Sequence, residues 1–377
     1  MTGGAIAVPV PPGPSVAPPA GIAANCSVDV SAALKSWFKA LAPGQTVVMR
    51  PGACYEVDEG IKLKKPQGLT VYGGEYRSTV VPGDQAGQPA SAKGYPVFTV
   101  LGGSHVTLES MQISGANPGG YHPRLAFAGG IEFEGTANAL VRGVTISHTF
   151  GDGITLAPLR GGADHNSGMI IGPATNVTID GVTVDGAGRQ GLTFASADGA
   201  QVSDVILKNI GLDTFDFEGD QTGEGASDVT IDGCLASGGA IFFANGGASN
   251  AASTHDITVE HCTMSVPQAG SAILVVRHGV GGNTKRLRGP FFFESDVLRC
   301  GASAYVGCVQ LHGADVTISD SHLLFPTGTV HEAVYGLSGA TATFSQDVVK
   351  GYGRTGTASR KSQVHISGGV WTPAEKG

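Results

Sequence analysis

The stretch NVTIDGVTVDG, residues 176 to 186, alternates apolar with polar or small side chains, and its pattern returns along the chain. HVTLESMQISG begins at 105, DVILKNIG at 204, DVTIDGCLASG at 228, DITVEHCTMSV at 256 and DVTISDSHLLF at 315. Apolar residues at every second position give a strand one buried face, so each copy reads as a version of the same β-strand. Weaker copies are NALVRGVTISH (138), PFFFESDVLRC (290), TATFSQDVVKG (341) and QVHISGGVW (363). The copies lie roughly 22 to 38 residues apart, with the variation in Gly-rich segments such as GGADHNSG and NGGASNAAST, as when insertions fall in the loops of a repeat architecture.

A second series runs between them: GIEFEG (130), GITLAP (153), GLTFAS (191), TFDFEG (214), AIFFAN (240), AILVVR (272), CVQLHG (308) and AVYGLSG (333). Two or more short strands per turn, with the turns stacked, describe a parallel β-helix. Composition agrees, because 59 glycines in 377 residues, abundant Val, Ile and Thr and only 14% charged residues suit short strands joined by many turns. The chain is therefore read as all-β.

On these two series the sequence resembles the right-handed parallel β-helix proteins of the pectin-lyase-like superfamily, over about residues 45 to 370. The preceding VDVSAALKSWFKALAPGQTVVMRPGACYEV resembles the usual opening of that fold, in which an amphipathic helix caps the end of the solenoid and protects an exposed sheet edge. Ala33, Leu34, Trp37, Phe38 and Leu41 have the spacing of one buried helical face. The expected organisation is a flexible Pro/Gly/Ala-rich leader over 1–25 and one domain over 26–377. That domain holds the cap helix region at 26–45 and a solenoid of about ten coils.

A net charge of −8 and a pI near 5.7 argue against a nucleic-acid partner, and the short KRLR at 285–288 reads as a solvated loop. No run of eighteen apolar residues exists, so no transmembrane helix and no membrane partner are expected. The N-terminal stretch lacks the basic region and apolar core of an intact signal peptide. Six cysteines form no CxxC pair, which argues against zinc. Cys26 and Cys54, flanking the helix, and Cys300 and Cys308, close in sequence, read as two disulfides, implying an oxidising compartment and a secreted or extracellular protein. Cys234 and Cys262 fall at the same place in consecutive copies and should stack ~4.8 Å apart, where packed thiols are favoured over a strained bridge.

The second series also assigns faces. Ile131, Ile154, Leu192, Phe215, Ile241, Ile273 and Val309 form one inward column; Phe133, Leu156, Phe194, Phe217, Phe243, Val275 and Leu311 form the next. Glu132, Thr155, Thr193, Asp216, Phe242, Leu274, Gln310 and Tyr335 then face outward, as do Glu134, Ala157, Ala195, Glu218, Ala244, Val276 and His312. This register divides the acidic run FDFEGDQTGEG, 215 to 225: two phenylalanines enter the core, Asp216 and Glu218 reach a groove, and Asp220 to Glu224 form the next turn. Carboxylates two residues apart on a strand have Cα atoms ~6.6 to 7 Å apart. They raise one another's pKa and can divide the acid and base roles of glycoside hydrolysis.

Asp216 and Glu218 are accordingly the first catalytic candidates, with Asp213 and Asp220 as further acid/base or water-positioning groups at the strand ends. Substrate contacts are expected from Arg189 and Gln190 opening the preceding coil, Asp152 one coil earlier, Arg277 and His278 two coils later, and His312. Phe242, with Tyr335 and Tyr121, would stack on sugars; Glu132 and Glu134, ~14 Å away, would form a subsite.

Three functions compete. The first is a glycoside hydrolase acting on a polysaccharide, which needs no metal or other cofactor. The second is a polysaccharide lyase, in which Ca²⁺ held by Asp216, Glu218 and Asp220 neutralises a uronate while Arg189 or Arg277 removes the proton. The third is a non-catalytic glycan-binding or tail-fibre-like module. The NTDG and RIK-type motifs of polygalacturonases and the WIDH and RxPxxR patterns of pectate lyases are absent, so the resemblance stops at the superfamily. Fibres of the tailspike kind trimerise and carry a particle-binding head, for which the leader is too short and proline-rich; a monomer is expected.

Overall fold

The 176–186 repeat is two strands rather than one. Thr178–Asp180 and Thr183–Asp185 pair with different neighbours, Leu140–Arg142 and Thr145–Ser147. The chain bends between them at Gly181, whose φ of +60° lies in the left-handed region that glycine enters without a Cβ clash. Asn176, Asp228 and Asp256 launch their copies at φ near 50°, 53° and 54°, a conformation that Asn and Asp tolerate better than most residues. The Asn/Asp-Val/Ile-Thr signature is thus a left-handed corner followed by a short strand.

The structure is a computed structural model and describes residues 14–81, 94–161, 169–219, 223–245, 254–266, 271–276, 289–301, 307–326, 332–337, 339–358 and 362–374. Its strands form three parallel stacks. The first includes Thr46–Val48, Thr70–Tyr72, Thr107–Glu109, Leu140–Arg142 and Thr178–Asp180. The second includes Cys54–Glu56, Glu75–Arg77, Gln112–Ser114, Thr145–Ser147 and Thr183–Asp185. The third, called the site stack below, runs through Ile61–Lys64, Phe98–Leu101, Ile131–Glu134, Ile154–Ala157 and Leu192–Phe194. It continues through the ends of the long strands Gln201–Glu218 and Gly225–Asn245, then Ile273–Val276, Val309–His312 and Glu332–Leu337. This is a parallel β-helix.

Its interior is a stacked apolar column. Phe194 and Phe217 stack at 4.6 Å between ring centroids, and Phe217 meets Phe242 at 4.9 Å. Burying each such ring is worth roughly 1.5–3 kcal/mol, so the core holds the overlying site strand in register. Phe242 therefore corrects the sequence reading: Phe215 pairs with Phe242, and Phe217 with Ala244, so Phe242 and Ala244 point inward instead of out. Three consecutive apolar residues, Ile241 to Phe243, leave the parity of the alternation open, and a one-residue slip exchanges the faces.

The helix Ser31–Lys39 lies against Ile61–Lys64. Asp29 accepts from the Ser31 backbone N–H at 2.9 Å and from its hydroxyl at 2.5 Å, pairing one N–H of the first turn. Leu34 and Phe38 are buried and Trp37 and Leu41 half-buried, whereas Ala33, expected on the same face, is exposed. Within 1–25, Ser15–Val16 pairs with Thr46 and Val47, and Arg50 donates to the carbonyls of Pro18 and Pro19 at 2.9 and 2.5 Å. The KRLR segment lies outside the described residues.

Cys26–Cys54 and Cys300–Cys308 are disulfides, as expected, and so is Cys234–Cys262, which overturns the packed-thiol expectation. Adjacent coils bring those two Cα atoms to 4.4 Å, within bridging range. Among the described residues no helix is long and apolar enough to cross a membrane.

The bend between the first and second stacks carries a ladder. The N–H of Cys234 donates to Cys262 Sγ at 3.2 Å, that of Cys262 to Asp296 Oδ1 at 2.8 Å, that of Asp296 to Ser321 Oγ at 3.0 Å, and that of Ser321 to Asp347 Oδ1 at 2.8 Å. Asp296 is 1% exposed, its Oδ2 has no hydrogen-bond partner, and burial pushes its carboxyl up to about 8. Burial likewise lifts Asp347 to about 6.

Candidate active site

Strand register builds the site. Glu132 pairs with Thr155, Thr155 with Thr193 and Thr193 with Asp216, so the outward column read from the sequence holds as far as Asp216. Beside it opens a cleft lined by Glu132, Glu134, Asp152, Arg189, Asp216 and Glu218 among others. The subsite pair Glu132 and Glu134 thus shares one cleft with the catalytic candidates.

Asp152 sits in the turn before Ile154–Ala157 and is 5% exposed. Its carboxylate accepts from the Thr193 hydroxyl at 2.9 Å, the Thr155 hydroxyl at 3.1 Å and the Gln190 backbone N–H at 3.3 Å. Arg189 reaches the same carboxylate at 3.5 Å and Glu218 at 3.9 Å. Burial raises the Asp152 carboxyl, and the Arg189 guanidinium and these hydrogen bonds work against it.

Asp216 is different. Its side chain has no exposure, and neither carboxyl oxygen has a hydrogen-bond partner. Burial, followed by the negative neighbours Glu218, Asp213 and Asp152, holds its pKa well above the usual carboxylate range. Burial, with Glu218 and Asp152 adding to it and Arg189 opposing, puts Asp213 at about 7. Burial and then Glu134 and Asp152 raise Glu132 to about 8, against the pull of Lys62. The cleft therefore stores protons at neutral pH, which a polar strip facing open water does not do.

Asp220, Arg277 and His278 lie outside the described residues. His312 stands in the second outward column three strands beyond Glu218, through Asn245 and Val276, about 14 Å away, and bonds Gln310 at 2.8 Å. Tyr335 continues the first column beyond Gln310 and is half-buried, while Tyr121 is 41% exposed.

Three cleft residues escaped the sequence reading. Phe127 is 56% exposed at the cleft, with the Arg189 guanidinium 5.9 Å from its ring centroid. Arg160, on the antiparallel hairpin Leu159–Gly161/Met169–Gly172, forms a buried ion pair with Glu224, which the sequence reading left in a turn. All three stand in segments outside the repeat, where no period marks them. Among the described residues, no group of three or more His, Cys, Asp or Glu side chains is arranged to hold a metal ion.

Fold and cleft together define a parallel β-helix protein with a carboxylate-lined groove on one stack. No protein-family model and no curated protein sequence matches the chain. Among solved structures it is similar to the catalytic unit of a GH87 alpha-1,3-glucanase from Streptomyces thermodiastaticus, with a TM-score of 0.60 and 17% identity over 97% of this chain and 71% of that one. It is similar to the tailspike of E. coli bacteriophage HK620, in complex with pentasaccharide, with a TM-score of 0.60 and 11% identity over 93% of this chain and 63% of the tailspike. The DFA-IIIase of Arthrobacter chlorophenolicus A6 without its lid gives 0.59 and 11%, over 92% and 91% of the two chains. At these identities the likeness is one of fold.

Proposed function

We propose that the chain is a secreted glycoside hydrolase acting on a polysaccharide laid along the site stack, with Asp216 as general acid. The observation that carries this reading is the buried Asp216 carboxyl, without a hydrogen-bond partner at the floor of an acidic cleft, where burial favours its protonated form. A structural carboxylate gains a partner; one kept neutral and unpaired is poised to give its proton to a glycosidic oxygen. Glu218, two residues along the strand and within reach of Arg189, is the partner that takes a proton from water or attacks the anomeric carbon. Asp213 at the strand's approach positions the water, Asp152 fixes Arg189, and Phe127 offers a sugar-stacking face. The glucanase and DFA-IIIase among the similar folds, and the three disulfides, support a secreted carbohydrate-active enzyme.

The test is digestion of a glycan panel with mass detection of products, with and without chelator, by wild type, Asp216→Asn and Glu218→Gln. Saturated products made without metal and lost in both variants support the hydrolase. Unsaturated products with rising ultraviolet absorbance and chelator sensitivity would replace it with the Ca²⁺-dependent lyase. Binding without any product would leave a glycan-binding module.

A further inference from the structure

A second cleft, of about 520 Å³, opens at the N-terminal end of the site stack, between the capping helix and Ile61–Lys64. Five of the chain's eleven lysines line it: Lys35 and Lys39 from the helix, Lys62 and Lys64 from the strand, and Lys65 from the turn that follows. Lys35 is bonded to Glu59 at 3.0 Å, whereas Lys39, Lys64 and Lys65 are exposed. Such a concentration in a chain of net charge −8 is local, and low-dielectric walls focus its positive potential into the cleft.

Register ties this cleft to the active site. Lys62 pairs with Thr99 and Thr99 with Glu132; Lys64 pairs with Leu101 and Leu101 with Glu134. The lysines thus continue the two outward columns that hold the carboxylates. From Lys62 to Asp216 the column takes five strand-to-strand steps of ~4.8 Å, about 24 Å in all, which a chain of several sugars lying across the strands would span. The carboxylate cleft, by contrast, is built against anions. Glu132, Glu134, Asp152, Asp216 and Glu218 crowd it, and its guanidinium groups already face carboxylates, Arg189 with Asp152 and Glu218 and Arg160 with Glu224. A charged sugar placed there would have to compete with the carboxylates that already hold these guanidinium groups.

We propose that the lysine cleft is an anion-binding subsite of the same groove, so that the substrate is a glycan of mixed charge. It is neutral where the carboxylates act and bears a carboxylate, sulfate or phosphate substituent several sugars away, beneath the capping helix. Lysine fits this role, because a point charge on a flexible stem accepts anions of varied geometry. The inference rests on the hydrolase reading of the groove.

Calorimetry on the full chain carrying Asp216→Asn tests it, with neutral dextran oligosaccharide and its sparsely sulfated form as probes. The sulfated form should bind at least tenfold more tightly at low salt, and the advantage should shrink as salt rises. Adding Lys39→Gln, Lys64→Gln and Lys65→Gln should abolish that advantage, while Lys208→Gln with Lys350→Gln, on the second stack, should keep it. Equal binding of the two probes, or an advantage that survives the triple variant, overturns the proposal. Against the glycan that wild type cleaves, the triple variant in the active chain should raise KM with kcat intact; an unchanged KM overturns the link to the groove. If wild type yields no product while lysine-dependent binding persists, the hydrolase reading fails and the anion site stands.

Discussion

Replacing Asp296 by asparagine should stabilise the protein, by an amount that grows with pH. The substitution keeps the Oδ1 acceptor for the Cys262 N–H and removes a carboxyl whose charged form burial disfavours. The folded pKa, about 8, lies above the ordinary 3.8, so folding favours the protonated acid, and wild-type stability falls as pH rises from the lower value to the higher. Each pH unit in that window costs ~1.4 kcal/mol. At pH 7 the wild type has therefore lost about 4 kcal/mol that the variant keeps, and at pH 5 about 2 kcal/mol. With ~2.1 cal/mol/K per residue over 377 residues, unfolding carries ~0.8 kcal/mol/K, so the gap in Tm should be about 5 °C at pH 7 and about 2 °C at pH 5. Thermal melts of both proteins from pH 5 to 9 would show the gap widening and levelling off near 8. In Asp347→Asn the same curve should level off near 6. A gap that stays constant with pH, or a less stable variant, would refute the assignment of buried charge to the ladder.

Asp216→Asn should lower product formation by ~10²- to 10⁴-fold and, at pH 7, raise Tm, because it removes an unsatisfied buried acid; a fall in Tm would mark Asp216 as structural. Arg189→Met takes away the cation that opposes the rise of Asp213, so an NMR titration of that carboxyl, with its midpoint near 7 in wild type, should move upward. A downward or absent shift would contradict the charge coupling across the cleft. Phe127→Ala should raise KM by ~2- to 12-fold, the equivalent of ~0.5–1.5 kcal/mol of ring stacking, with kcat little changed; an unaltered KM would remove Phe127 from the substrate path.

Alternation made the floor of the groove legible without coordinates. Ile131 with Phe133, Ile154 with Leu156, and Phe215 with Phe217 fix the parity of their strands, and Glu132, Thr155, Thr193 and Asp216 follow on the other face. The same rule gave the wrong face at Phe242 because Ile241 to Phe243 offer two equally apolar parities. The depth of Asp216 was not legible, since alternation assigns a face but not how far the walls of the cleft close over it. The ladder had a usable signal: Cys234, Cys262, Asp296 and Ser321 hold one position in successive copies, where a polar side chain facing a corner implies an N–H to be satisfied. The same alignment set Cys234 beside Cys262 without deciding between thiols and a bridge, and the preference for packed thiols failed because that spacing already lies within bridging range.

Thr155 and Thr193 separate Glu132 from Asp216 by two otherwise equivalent positions of one column. Because every coil presents its outward residue in nearly the same orientation, these positions are interchangeable addresses along a ruler. Exchanging a threonine for a carboxylate at one of them, and Asp216 for threonine, would relocate the acid by one strand spacing while the backbone stayed where it is. The solenoid thereby separates where an outward side chain stands from how the chain folds, and on the hydrolase reading the reacting pair could be moved along the groove by point substitution alone.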